Sequence, residues 1–303
     1  MRLTILGFLL AVFALSSAYA DEESGFFNIA HMTNTVEAVE YALASGANAI
    51  EIDLQFAGDQ PEAFQHSTNI TQPCDCSFEF TAKTTTDICG VLKSCRAKTD
   101  ARTLLNHIAQ NKNIALVIID SKVSSRDKDL EEKGKNAVKL INQELFNKGY
   151  RGNLIIGVSK SESFAYLKSA AKQATQYPNK SNYYFSIDQE GNNVPETINL
   201  LKTLSPITEN RVYGTGITAL LPDQHERAIY FASLYYENKD IGTIYTWTID
   251  KESTMKSHIE SGVLGIITNK PKTLRDILIQ KKISLAKPGS RIPSANVAYQ
   301  AER

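Results

Sequence analysis

The sequence carries no net charge, since thirty-three basic side chains meet thirty-three acidic ones. That balance excludes a general attraction to nucleic acid or to an anionic membrane, so any polyanion or lipid-surface contact must come from a local patch. Long apolar runs are also scarce. One short run lies at the start, from Leu3 to Leu15, and no second run approaches the roughly 20 residues of a membrane-spanning helix. No stretch rich in proline, glycine or serine divides the chain, which argues for one folded unit. No glycine-rich phosphate loop follows the first strand-like segment, which argues against an open dinucleotide-binding sheet. Cysteine is limited to four residues, all between 74 and 95.

The first residues read as a targeting segment. Arg2 precedes the apolar run, Ala18-Tyr19-Ala20 fits a small-x-small cleavage rule, and Asp21-Glu22-Glu23 follows. The expectation is a signal peptide over residues 1–20 and a secreted chain beginning near Asp21. An uncleaved anchor is the alternative. In an oxidising compartment, Cys74, Cys76, Cys89 and Cys95 read as two disulfides pinning one loop. A bridge between Cys74 and Cys76 would be strained, because only Asp75 separates them. Nested and crossed pairings to Cys89 and Cys95 both stay open. A metal cluster is the competing reading, but the spacing fits no zinc pattern. Asn69-Ile70-Thr71 and Asn179-Lys180-Ser181 are glycosylation sequons.

From about residue 26 to residue 281, strand-like and helix-like segments alternate with short connections. Ala49 to Phe56 alternates apolar and polar, Ile114 to Asp120 is almost continuously apolar, and Leu130 to Lys148 has helical spacing. Eight strand–helix units imply a parallel sheet closed as a single (β/α)8 TIM barrel over residues 21–282, with a disulfide-pinned loop after strand two. Residues 283–303 are expected to form a tail, packed over the barrel or partly disordered. In such a barrel, chemistry is done at the C-terminal strand ends. His31, Glu51, Asp53, Asp120, Lys122, Trp247, Asp250 and Asn269 all fall there.

Glu51 and Asp53 stand at i and i+2 of one strand, so they share a face. Two carboxylates held together are costly unless a cation joins them. With Asp120 they form an all-oxygen set that favours Mg²⁺ or Ca²⁺ over zinc. The plainer reading is an exposed strand face paired to nearby basic residues. Lys122 suits a phosphate oxygen. His31 and His66 can pass protons in both directions near neutral pH. His107, His225 and His258 read as structural. Trp247 is either core or the lip of an apolar entrance.

These pieces together resemble a known family. They are Asn28-Ile29-Ala30-His31-Met32 with Asn34, Gly46 to Asp53, His66, and Pro73-Cys74-Asp75-Cys76. Asp120-Ser121-Lys122, Gly216-Ile217-Thr218 with Leu221-Pro222, Tyr245 to Lys251, and Gly265 to Asn269 follow in order. The chain resembles the secreted sphingomyelinase D and phospholipase D toxins of sicariid spiders and their relatives, distant cousins of the glycerophosphodiester phosphodiesterases. The ordinary phosphodiesterases carry His-Arg-Gly after strand one. Here the run is His31-Met32-Thr33, which sides with the toxin-like branch.

The resemblance implies one Mg²⁺ held by Glu51, Asp53 and Asp120, and His31 and His66 as nucleophile or base and as acid. It places Lys122, Tyr245, Trp247 and Asn269 around a phospholipid or sphingolipid at a membrane surface. It implies release of the head-group alcohol and closure of a cyclic phosphate, by a chain expected to be monomeric. The family's disulfide map does not transfer, because Cys89 and Cys95 lie further along the same loop, and no C-terminal plug motif is found after Lys282. The alternatives are hydrolysis of small glycerophosphodiesters, and a secreted barrel that binds lipid without turning it over.

Overall fold

The computed structural model describes residues 25–66, 98–189, 193–205, 210–216, 226–290 and 292. The four cysteines, the Asn69 sequon, His225 and the expected signal peptide lie outside them. The strands in chain order are β1 (Phe27–Ala30), β2 (Ala49–Ala57), β3 (Gln60–Phe64), β4 (Thr99–Asp100) and β5 (Leu116–Ser121). β6 (Asn153–Val158), β7 (Tyr183–Gln189), β8 (Arg211–Gly216), β9 (Thr243–Trp247) and β10 (Gly265–Thr268) follow.

Eight of these, all but β3 and β4, are parallel neighbours. β1 pairs with β2 on one side and with β10 on the other, so the sheet closes on itself. The expected barrel is therefore present. β3 folds back antiparallel on the end of β2 and carries β4, an addition that reading the chain as strand–helix units did not include. Gln-Pro-Glu-Ala-Phe is short and holds a proline, so it carries little strand signal; the overhang of β2 beyond the barrel supplies its partner.

The outer layer is formed by α1 (Val36–Ala44), α2 (Ala101–Gln110), α3 (Leu130–Glu144), α4 (Phe164–Ala174) and α5 (Val194–Leu204). It is completed by α6 (Glu226–Glu237), α7 (Glu252–Glu260) and α8 (Pro271–Gln280). Local chemistry starts them. Thr35 accepts from Ala38 N at 3.2 Å and Asp100 accepts from Thr103 N at 3.0 Å, each satisfying an amide of a first turn. Proline opens α8 at a position where no amide is needed.

The alternation of the strands sorts two cores. One face packs on the helices through Ile50, Ile52, Val117, Ile119 and Leu154. The other fills the barrel with Phe27, Ile29, Ala49, Leu116, Ile118 and Ile155, joined by Tyr184, Val212, Tyr245 and Ile267. The segment after Lys282 closes the bottom. Ala286 and Ile292 join the inner core. Phe26 N donates to Ser284 O at 2.9 Å, Ala286 N donates to Phe26 O at 3.0 Å, and Asn48 Nδ2 donates to Ala286 O at 2.8 Å. The described part of this tail packs on the barrel, one of the two arrangements expected for it, and there acts as a stopper.

Candidate active site

The inward positions explain why the site sits where it does. Along each strand the inward side chains are two residues apart. Two residues past the apolar layer, the same face turns polar or loses its side chain. Ile29 is followed by His31, Ala49 by Glu51 and Asp53, and Ile118 by Asp120. Tyr184 is followed by Ser186 and Asp188, and Ile267 by Asn269. All lie at the C-terminal strand ends.

Glu51 and Asp53 are buried, at 4% and 1% exposure, so the exposed-face reading is wrong for both. Oxygen atoms of Glu51, Asp53 and Asp120 lie within 4.8 Å of one another. Met32 turns through a left-handed backbone, φ 51°, and its amide donates to Glu51 Oε2 at 2.7 Å. Burial, followed by the neighbouring Asp53 charge, holds the Glu51 carboxyl well above its ordinary range, with Lys122 opposing. Asp53 goes the other way. Burial would raise it, but Lys122, His66 and a bond from Asn34 outweigh burial and hold it far below the usual carboxylate range.

Asp53 accepts three side-chain donors and keeps acceptor capacity on Oδ2. Its Oδ1 takes Lys122 Nζ at 2.7 Å and His66 Nδ1 at 3.1 Å, and its Oδ2 takes Asn34 Nδ2 at 2.6 Å. Asn34 also accepts from the Asp53 amide at 2.8 Å. Thr35 caps α1, while the neighbouring Asn34 serves the site. Lys122 reaches Asp120 Oδ2 at 2.5 Å as well, so it bridges two carboxylates. Burial would lower its pKa, but Asp120, Asp53 and Glu51 raise it above the ordinary lysine value.

His31 Nδ1 lies 3.0 Å from Asn269 Oδ1. The Asn269 amide is oriented by Asp250, whose Oδ2 accepts from Asn269 Nδ2 at 2.8 Å while Oδ1 accepts from Asn269 N at 2.8 Å. Asn269 therefore presents an acceptor, and the His31 proton sits on Nδ1, which leaves the lone pair of the neutral ring on Nε2. The His31 and His66 rings have centroids 6.3 Å apart at 77°. Tyr245 is deeper than a lip residue, 2% exposed, with its hydroxyl on Asp188 and 3.0 Å from Ser186 Oγ. Trp247 is half-buried against the inner core.

The remaining described histidines are away from the site. His107 pairs with Glu40 at 2.8 Å, and His258 lies 3.1 Å from Thr246 Oγ1 behind β9. Sequence reasoning gave no role to Asp188 and Ser186, although the i, i+2 logic applied to Glu51 and Asp53 applies equally to Ser186-Ile187-Asp188.

The donor chemistry suits a hard divalent cation. Three carboxylates converge, one lysine offsets part of their charge, and among the described residues the Glu51 carboxylate receives one hydrogen bond, from the Met32 amide. Fold and site together define the class, a (β/α)8 barrel with an acidic triad and paired imidazoles at its mouth. Solved barrels with this fold include an Oleispira antarctica phosphodiesterase in complex with the product sn-glycerol-3-phosphate. It is 13% identical, with TM-score 0.55, covering 83% of this chain and 96% of that one. A glycerophosphodiester phosphodiesterase of Parabacteroides distasonis is 16% identical, with TM-score 0.54, covering 85% and 100%.

The chain belongs to the dermonecrotic toxin SPH family, which it matches over residues 21–287. Dermonecrotic toxin LamSicTox-alphaIC1 of Loxosceles amazonica is 28% identical over 260 residues, covering 82% of this chain and 90% of the toxin. Dermonecrotic toxin Hl-PLD1 of Hemiscorpius lepturus is 28% identical over 268 residues, covering 85% and 80%. Among the described residues, no helix is long and apolar enough to cross a membrane.

Proposed function

We propose that this chain is a secreted, Mg²⁺-dependent phosphodiester lyase of the phospholipase D type. It releases the head-group alcohol from sphingomyelin, ceramide phosphoethanolamine or a lysophospholipid and leaves a cyclic phosphate. The observation that carries the reading is the pair of imidazoles 6.3 Å apart beside three converging carboxylates. Two imidazoles this close can both reach one phosphoryl group bound beside them at the carboxylates.

Glu51, Asp53 and Asp120 would hold the Mg²⁺, which when bound neutralises charge on a phosphate oxygen. Lys122 offers a second positive charge at the same place. His31, with its proton fixed on Nδ1, takes the proton of the substrate's own hydroxyl at Nε2. That hydroxyl oxygen forms a bond to phosphorus, and the bond from phosphorus to the head-group oxygen breaks. His66, oriented through Nδ1 by Asp53, gives a proton to the departing oxygen. One proton is taken and one is given, so no water is consumed.

The glycerophosphodiesterase reading shares the barrel, but those neighbours support the fold alone. Family membership over residues 21–287 favours the lyase. The test is head-group alcohol release from lysolipid micelles with Mg²⁺. Release should vanish on adding EDTA and in His31→Ala. Undiminished release in either case would overturn the assignment.

A further inference from the structure

We infer that one half of the barrel floor, at the end opposite the catalytic mouth, is a docking surface for a sulfated polysaccharide chain. It is the local patch that a chain without net charge needs for any contact with a polyanion. The surface itself does not depend on the reaction; the choice of a polysaccharide over an anionic membrane rests on the lyase reading above.

The floor is formed where the chain enters each strand from the helix before it. Residues 111–115, 145–152 and 175–182 lead into β5, β6 and β7, parallel neighbours with Leu116 beside Asn153 and Leu154 beside Tyr183. Hydrogen bonds join these connections. Asn153 N donates to Ala115 O at 2.9 Å, and Asn182 Nδ2 donates to Gly152 O at 3.2 Å. The tail lies against them, because Asn153 Nδ2 donates to Ser290 O at 2.7 Å, and Lys287 N donates to Ser290 Oγ at 3.1 Å.

This joined surface carries Lys112, Lys148, Arg151, Lys180 and Lys287, all exposed. The three connections, the tail from 283 to 292 and the 45–48 connection into neighbouring β2 hold no acidic residue. Among the described residues, none of the five side chains has an ion-pair or hydrogen-bond partner. On the other half of the floor lysines are matched. Asp240 takes Lys202 at 2.5 Å, and Glu260 takes Lys281 at 2.7 Å. In the sequence, the acids Glu209 and Asp21 to Glu23 precede β8 and β1 instead. Helix C-termini face the floor with partial negative charge. Their last turns are already capped by backbone, as where Asn111 N donates to Ile108 O at 3.0 Å and Gly149 N to Phe146 O at 3.0 Å.

Five unmatched cations on adjoining connections repel one another, and a multivalent anion relieves that repulsion at several points at once. The side chains stand in solvent and enclose no single anion. An extended chain bearing sulfates along its length meets them in turn. With the floor on a bilayer, the mouth would face away from the lipid.

The experiment measures binding of a heparin oligosaccharide to the full chain as a function of salt. The slope of log affinity against log salt should be about −4, as five contacts give with other polyanions. Lys148→Gln with Arg151→Gln, checked for native Tm, should make it shallower by about 1.5–2 and weaken binding about tenfold at physiological salt. Lys135→Gln with Lys256→Gln removes the same charge from α3 and α7, outside the floor, and should change neither. Equal weakening in both variants, or no binding by the native chain at physiological salt, would overturn the docking surface. Capture of phosphatidylserine vesicles through Lys148 and Arg151 would overturn the choice of partner. Head-group release from lysophospholipid should be the same with and without saturating oligosaccharide. Inhibition would place the polyanion at the mouth and overturn the inference; no release under any condition would overturn the lyase reading and leave the floor's slope as its own test.

Discussion

His31 Nδ1 and Asn269 Oδ1 meet at 3.0 Å, and Asp250 fixes which atom of the Asn269 amide faces the ring. The contact sets the tautomer, and the tautomer sets which nitrogen can take a proton. Asn269→Ala removes the acceptor and should lower kcat by about 10²–10⁴-fold, as loss of a base's orienting partner does elsewhere. KM should change far less. A rise in KM alone, with kcat kept, would mean that Asn269 only binds substrate.

The acidic triad gives a prediction that needs no turnover. A ligand that binds only the folded chain stabilises it by about 2.7 kcal/mol at 100 times its Kd. Mg²⁺ should therefore raise the Tm of the native protein and leave that of Glu51→Gln unchanged. Equal shifts in both would remove Glu51 from the cation site.

Stability should depend on pH with opposite signs at two carboxylates. Asp53 is depressed in the fold, so its contribution is present above its unfolded value of about 3.9 and is lost as pH falls below it. Asp188 is raised to about 7, so the folded chain holds that proton more tightly and stability declines as pH climbs from about 4 through 7. Asp188→Asn should then melt higher than the native chain at pH 8, with the gap closing by pH 4. At this length each kcal/mol is worth about 2–4 °C. A gap that widens toward low pH would contradict the sign.

The stopper at the barrel bottom can be tested by truncation. Ending the chain after Lys282 exposes the inner core beneath Ala286 and Ile292 and leaves the Asn48 amide without Ala286 O. Burial of an isoleucine alone is worth about 1.5–3 kcal/mol, so Tm should drop by several degrees. An unchanged melting curve would mean that residues 283–292 contribute nothing to closure.

The barrel was legible because each strand–helix unit announces itself locally, and the triad because Glu51 and Asp53 break an apolar alternation at one strand end. Other features depended on partners far along the chain. β3 forms only because β2 overruns the barrel. Asn34 is tied to Asp53 by two side-chain bonds that no local pattern encodes. Tyr245 was placed at the substrate, but its burial follows from Asp188 on another strand. The role of residues 284–292 was hidden because few apolar residues there suffice once the barrel floor supplies the rest of the contact.

The most direct test is phosphorus NMR of the products formed from a lysophospholipid in the presence of Mg²⁺. A cyclic phosphate signal should grow in step with free head-group alcohol, and both should be absent in His31→Ala and in His66→Ala. A linear phosphate as the first product, or a cyclic product that persists without both histidines, would contradict proton exchange between two imidazoles at the mouth of this barrel.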